Sequence, residues 1–179
     1  ETESMDVQCG FLPVSQPNAR VLILGSAPGL RSLAAGEYYA HPQNAFWDIM
    51  AGWTGCSRQQ PYEHRLQALM ECRIALWDVA HRFKRPNSSL DSRLESLEPV
   101  PLRDFLQAHP GISWVLLNGA KAHQVFLQKL LPVLQRELQW ERLPSTSPAW
   151  AGLSRAEKQR QWLEALARTS ALRPQTATL

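Results

Sequence analysis

No apolar run in this 179-residue chain approaches the roughly 18 residues that a membrane-crossing helix needs. The opening segment, Glu1 to Gln8, is polar and partly acidic, so neither a secretory signal nor a basic transit peptide is expected. Cysteine is scarce. Cys9, Cys56 and Cys72 are odd in number and widely spaced, with no C-x-x-C pair. No H-x-E or H-E-x-x-H pattern accompanies them, so neither a zinc site nor an iron–sulfur cluster is suggested. Reduced thiols in a reducing compartment follow, with a cytoplasmic or nucleoid location as the default. Also missing are the G-K-[ST] and G-x-G-x-x-G phosphate loops and the strand–G-x-S-x-G elbow of a serine hydrolase. Internal repeats and low-complexity tracts are absent as well.

What remains suits one α/β domain, because 179 residues are too few for two well-buried cores. A hydrophobic fraction of 44% with 20% charged residues is ordinary for a globular protein. The net charge of +3 is compatible with a nucleic-acid partner without requiring one. Its distribution says more: Arg73, Arg82, Lys84, Arg85 and Arg93 face only Asp78 and Asp91 over that stretch. The cluster from His81 to Pro86 mixes cations with Phe83, as a loop tracking a nucleic-acid backbone would; a solvated loop reads the same way.

Residues 1–10 and 169–179 carry no periodic apolar pattern and read as tails around a single domain of residues 11–168. Within it, short apolar runs at 21–24, 74–77, 114–117 and 140–143 each end in turn or polar residues, the mark of strands buried on both faces. Between them, 44–53, 62–72, 120–131 and 154–167 place apolar residues at three- and four-residue spacing. Ser154 with Glu157 forms a capping box that opens the last helix. Repeated strand–helix units predict a three-layer α/β/α sandwich around a mainly parallel four-stranded sheet. Ligands of such sheets sit outside the carboxyl ends of the strands, which gathers four segments around one crevice.

The first segment, Gly25-Ser26-Ala27-Pro28-Gly29, is a tight turn whose backbone amides can approach a ligand closely. The second puts Tyr38 and Tyr39 in a loop, breaks at His41-Pro42, and sets Asn44 near a helix start. An aromatic beside such a crevice offers a planar base a stacking surface worth roughly 1–3 kcal/mol. Phe46 and Trp47 read as the buried face of the helix that follows. In the third, Asn118 ends a strand and either caps the next helix or turns its amide to a ligand. Lys121 and His123 beyond it suit phosphate contacts or plain exposure equally. The fourth brackets three hydroxyls, Ser145, Thr146 and Ser147, between Pro144 and Pro148, a rigid loop able to bond phosphate oxygens.

Together these segments resemble the uracil-DNA glycosylase superfamily over roughly residues 11–165. Gly25-Ser-Ala-Pro-Gly29, Ser32, Gly36 and Ala40-His-Pro-x-Asn-x-Phe-Trp47 are similar to the first motif region of mismatch-specific uracil-DNA glycosylases. Pro144-Ser-Thr-Ser-Pro148 is similar to the serine-rich loop that pinches DNA phosphates. The pattern is nearest to the hypoxanthine-DNA glycosylase branch. Ala27 stands where the mismatch-specific uracil enzymes carry a catalytic Asn, and the hypoxanthine branch lacks that Asn too. Trp150 departs from the Asn expected after Pro148-Ala149.

The resemblance implies hydrolytic removal of a deaminated base from damaged DNA, double- or single-stranded, by a monomer that needs no cofactor and no metal. Hypoxanthine presents an N1–H donor and an O6 acceptor, which one Asn amide satisfies together, whereas adenine has the opposite polarity. By the resemblance Ser26, Ala27, Pro28 and Gly29 line the base pocket, and Tyr39 stacks on the flipped base. Asn44 and Asn118 are the candidate catalytic amides, placing water and stabilising charge on the departing purine. Asp78 either activates water, steadies an oxocarbenium-like sugar, or simply pairs with Arg82. Ser32, His41, Ser145, Thr146 and Ser147 are the candidate DNA contacts. The alternatives are a uracil or mixed-specificity enzyme, or a protein that binds damaged or single-stranded DNA without cutting it.

Overall fold

Four-residue apolar runs have both faces to bury, and only the middle of a layered fold can bury them. A computed structural model describes residues 6–85 and 94–174. In chain order the elements are β1 (Gln8–Cys9), β2 (Val21–Gly25), α1 (Leu30–Ala35), α2 (Phe46–Thr54) and α3 (Tyr62–Glu71). They continue with β3 (Ile74–Asp78), β4 (Ala80–Lys84), β5 (Glu95–Pro99), α4 (Leu102–Ala108) and β6 (Trp114–Asn118). The last are α5 (Ala120–Val125), β7 (Gln139–Leu143) and α6 (Arg155–Arg168).

The main sheet has four parallel strands in the order β3-β2-β6-β7. Every residue of β2 and β3 is buried, whereas the edge strand β7 exposes Gln139, Trp140 and Arg142. One face packs Val21, Ile23, Ile74, Leu76 and Leu116 against Phe46, Trp47, Ile49 and Met50 of α2, Leu69 of α3 and Trp162 of α6. The other packs Leu22, Leu24, Trp77, Val115 and Leu117 against α4 and α5 through Leu102, Phe105, Leu106, Ala122 and Val125. The expected three-layer sandwich is therefore present. From β2 the chain passes to β3 on one side and then crosses to β6 on the other. That reversal opens a crevice beyond Gly25 and Asn118, at the carboxyl ends of β2 and β6.

The helical segments begin and end close to where periodicity places them, with one internal change. The segment read as a helix over 120–131 is α-helical only to Val125 and then widens into a π-helical turn at Phe126–Leu130. Helices α1 and α4 are short enough, at six and seven residues, to leave little periodic signal.

A second sheet lay outside the sequence reading. It is antiparallel, in the order β1-β4-β5, and its small core of Ala80, Phe83 and Leu94 packs against Ala27. This corrects two expectations. The segment 1–10 is not wholly a tail, because Gln8 and Cys9 register with Phe83 and Arg82. The basic stretch from His81 is not a backbone-tracking loop but strand β4: Phe83 is buried, and Arg82 and Lys84 stand opposite Glu98 and Glu95. Cross-strand acids offset those cations, and their field with them. Pro86 and Arg93 of that cluster lie outside the described residues. At the other end, residues read as a tail dock on the domain. The Leu172 N–H bonds the Cys72 carbonyl, and the Trp53 indole N–H bonds that of Leu172.

Candidate active site

The carboxyl ends of the four parallel strands enclose a cleft of about 1080 Å³. Gly25 through Gly29, Tyr39, His41, Asn44, Asp78, Asn118 and Ser145 through Trp150 all line it, so the segments singled out in the sequence converge on one space.

Its floor is Gly25. A Cβ there would stand 2.4 Å from Asp78 Oδ1 and 2.8 Å from Tyr39 Oη, so only glycine lets both polar groups close over the strand end. Asp78 is buried and sits at the end of β3. Its charge also reaches Tyr38, whose hydroxyl is pushed far above its ordinary range, chiefly by burial and then by Asp78. Tyr38 therefore stays protonated and structural: its O–H donates to the Leu12 carbonyl at 2.8 Å. The pairing of Asp78 with Arg82 considered above does not match this geometry, because Arg82 is exposed on β4, opposite Glu98.

Tyr39 adopts φ +55°, the left-handed region that a bulky side chain rarely enters. What holds it there is visible. Phe46 stacks on one face of its ring, with centroids 4.0 Å apart, and Asn118 Nδ2 donates to its hydroxyl at 3.2 Å.

Asn118 does not cap α5. Its Nδ2 also donates to Thr146 Oγ1 at 3.0 Å, and its Oδ1 accepts the Thr146 N–H at 3.0 Å. Both groups of this buried amide are engaged, and they tie the Ser145–Ser147 loop to Tyr39. The loop crosses β6 closely at Gly119, whose φ of +92° suits glycine and whose Cβ would meet Ser145 Cβ at 3.0 Å. Ser145 Oγ and Ser147 Oγ accept from the N–H groups of Ser147 and Ala149. Thr146 is buried, so the hydroxyls left near the surface belong to Ser145 and Ser147.

Asn44 lies just before α2 and lines the cleft. Its Oδ1 accepts the Phe46 N–H at 2.9 Å, which fixes the amide's orientation and leaves Nδ2 without a bond to any other described residue. Arg58, which the sequence reading missed, clamps this turn: its guanidinium donates to the carbonyls of Asn44 and His41 and to Asp48 Oδ2. Nothing in the local sequence marks Arg58, since its partners lie 10 to 17 residues away. His41 Nδ1 accepts the Gln43 N–H, which leaves Nε2 as the ring's other polar atom.

The Ser26–Gly29 turn is braced from behind. Ser26 O accepts the Ala80 N–H, Arg85 donates to Pro28 O at 3.0 Å, and Ala27 packs against the second sheet. Ser32 lines the cleft with the other candidate DNA contacts; like Thr146 it is buried, and its Oγ accepts the Ala40 N–H at 3.1 Å, a bond that holds the Tyr39 loop in place. Lys121, His123 and Arg142 complete the far wall of the cleft. Among the described residues no group of three or more His, Cys, Asp or Glu is placed to hold a metal ion, and no helix is long and apolar enough to cross a membrane.

Comparison with known proteins meets this geometry. The family model of the Uracil DNA glycosylase superfamily matches residues 12–169. A hypoxanthine DNA glycosylase of Methanosarcina barkeri is 37% identical over 114 residues, covering 63% of this chain and 72% of that protein. One from Methanosarcina acetivorans is 33% identical over 117 residues, covering 65% and 73%. A solution NMR structure of a Methanosarcina acetivorans protein assigned as a uracil DNA glycosylase superposes with a TM-score of 0.73 at 28% identity, covering 91% of this chain and 100% of that one.

Proposed function

Because the chain belongs to the Uracil DNA glycosylase superfamily, we propose that it is a DNA glycosylase that hydrolyses the N-glycosidic bond of deoxyinosine, releasing hypoxanthine and leaving an abasic site. The observation that carries the reading is position 27. Ala27 lines the cleft and packs on the second sheet, and by the resemblance it stands where a mismatch-specific uracil enzyme carries the amide that holds water. The polar work therefore falls on Asn44 and Asp78, and the two relatives named for hypoxanthine support that branch.

The base leaves the helix at a cost of a few kcal/mol, smallest for a mispaired base, and enters between the Ser26–Gly29 turn and the Tyr39 ring. Asn44 is the amide with a free donor. Its Nδ2 stabilises charge on the departing purine, while the second lone pair of Oδ1 orients water. Asp78, a buried carboxylate on the floor, stabilises the positive charge that develops on the sugar as the C–N bond breaks. Asn118 is a positioning residue, since its amide is already committed to Thr146 and Tyr39. His41, Ser145 and Ser147 meet the DNA backbone at the rim.

The working unit is one domain that extends beyond residues 11–168 to take in β1 and the docked Leu172, acting as a monomer, with damaged DNA as partner and the nucleoid as its place of work. The similarity to a structure assigned as a uracil enzyme favours one second reading, mixed specificity for uracil. Duplexes carrying deoxyinosine, deoxyuridine or deoxyxanthosine, treated with the protein and then with alkali, separate the two on a gel. Strand breaks at deoxyinosine well above those at deoxyuridine are expected. Breaks at deoxyuridine alone would overturn the hypoxanthine assignment.

A further inference from the structure

Lys158 is buried on the inner face of α6, at 4% exposure, and among the described residues no carboxylate forms an ion pair with it. Lysine almost never occupies such a place without a counter-ion. Its ammonium donates instead to two carbonyls of the serine-rich loop, Ser147 O at 3.3 Å and Trp150 O at 2.7 Å, and lies 5.1 Å from the centre of the Trp150 ring. One helical turn later, the Trp162 indole N–H donates to Pro144 O at 2.9 Å. Residues 158 and 162 share a face of α6, so one helix edge grips the loop's carbonyls on both sides of Thr146. Drawing carbonyl oxygens back toward the helix turns their negative ends away from the cleft. The same grip leaves a whole positive charge directly behind the segment from Ser145 to Trp150.

A buried cation that the protein does not neutralise is stabilised by an anion arriving from outside. The anion matching a rim of serine hydroxyls is a phosphodiester. We propose that Lys158 is a positioning residue whose charge is completed by a DNA phosphate seated on the Ser145–Ser147 loop. This rests on the DNA-glycosylase reading above. It adds that the loop's hold on DNA is electrostatic from beneath, through a side chain the DNA never touches.

Lys158→Met tests it, because the thioether keeps the length and apolar packing of the stem while removing the charge. Binding to a duplex with a non-hydrolysable abasic analogue is measured over a series of salt concentrations, beside the thermal midpoint of each protein. Affinity is expected to fall about tenfold at low salt, and the slope of log affinity against log salt by about one. The thermal midpoint reports separately on the fold, because the Ser147 and Trp150 carbonyls lose this donor in the variant. In single-turnover cleavage of a deoxyinosine duplex, the half-saturating protein concentration rises by more than the saturated rate falls.

A lysine that only packs predicts an unchanged salt slope, which would overturn the proposal. Should Lys158→Met fail to fold, Lys158→Gln keeps a donor for the loop and must show the same loss of slope. An unchanged slope in Lys158→Gln overturns the proposal equally. Wild-type protein that binds no such duplex would overturn the DNA reading itself, and this inference with it.

Discussion

Replacing Asn118 with alanine should strand the Thr146 N–H, which is buried and has Asn118 Oδ1 as its acceptor. A buried donor left without a partner costs about 1–3 kcal/mol. In a chain of this size each kcal/mol moves the thermal midpoint by roughly 2–4 °C, so a fall of about 2–12 °C is expected. Thr146→Val exchanges for a methyl only the hydroxyl that accepts from Asn118 Nδ2, and Nδ2 retains Tyr39 Oη. Its cost is about 0.5–1.5 kcal/mol, the ordinary net value of one hydrogen bond. Because the two residues share bonds, the double variant should lose less than the sum of the single ones, by about 0.5–3 kcal/mol. Urea unfolding of the four proteins gives the coupling directly. Asn118→Ala should also weaken lesion binding, since it unties the phosphate loop from Tyr39. Additive losses, or a wild-type midpoint in Asn118→Ala, would refute the bracket that joins Tyr39 to the Ser145–Ser147 loop.

Asn44→Ala should abolish release of hypoxanthine under single-turnover conditions, on the order of 10²–10³-fold or more, with only the modest loss of stability expected when a helix-start bond is removed. Near-normal turnover would remove Asn44 from the chemistry. Gly25→Ala should displace Asp78 and Tyr39, which a new methyl would meet at 2.4 and 2.8 Å, and so lower the cleavage rate while the far-ultraviolet spectrum is kept. An active Gly25→Ala protein would mean that neither group needs its present place. The Cys72 thiol is raised to about 11, chiefly by burial, so at pH 8 a thiol reagent should modify exposed Cys9 readily and Cys72 only after unfolding. Equal rates at Cys9 and Cys72 in mass-resolved labelling would contradict the packing of α3 and β3.

Much of this was legible in the chain because the parallel strands announce themselves. Residues 21–24, 74–77 and 114–117 are apolar throughout, and the Gly25, Asp78 and Asn118 that end these strands mark the crevice. The second sheet was not legible, since β4 and β5 alternate imperfectly around bulges and β1 has two residues. Its basic strand looked like a solvated loop until Glu95 and Glu98, more than ten residues on, came to lie opposite. At the site, residue types gave membership but not partnership. Asn44 and Asn118 look alike in sequence, yet one keeps a free NH₂ and the other is bound at both ends. The motif marks Ser32 without showing its bond to the Ala40 N–H, which belongs to a loop closure that no spacing rule describes. Lys158 did leave a trace: it stands with Trp162, Ala165 and Leu166 on the buried stripe of α6, where a charge is out of place.

The central claim is tested most directly by the free base itself. A deoxyinosine duplex incubated with excess wild-type protein is expected to yield hypoxanthine by mass spectrometry, one molecule for each abasic site formed. A duplex returned intact, or one cleaved with inosine still attached to the strand, would contradict it.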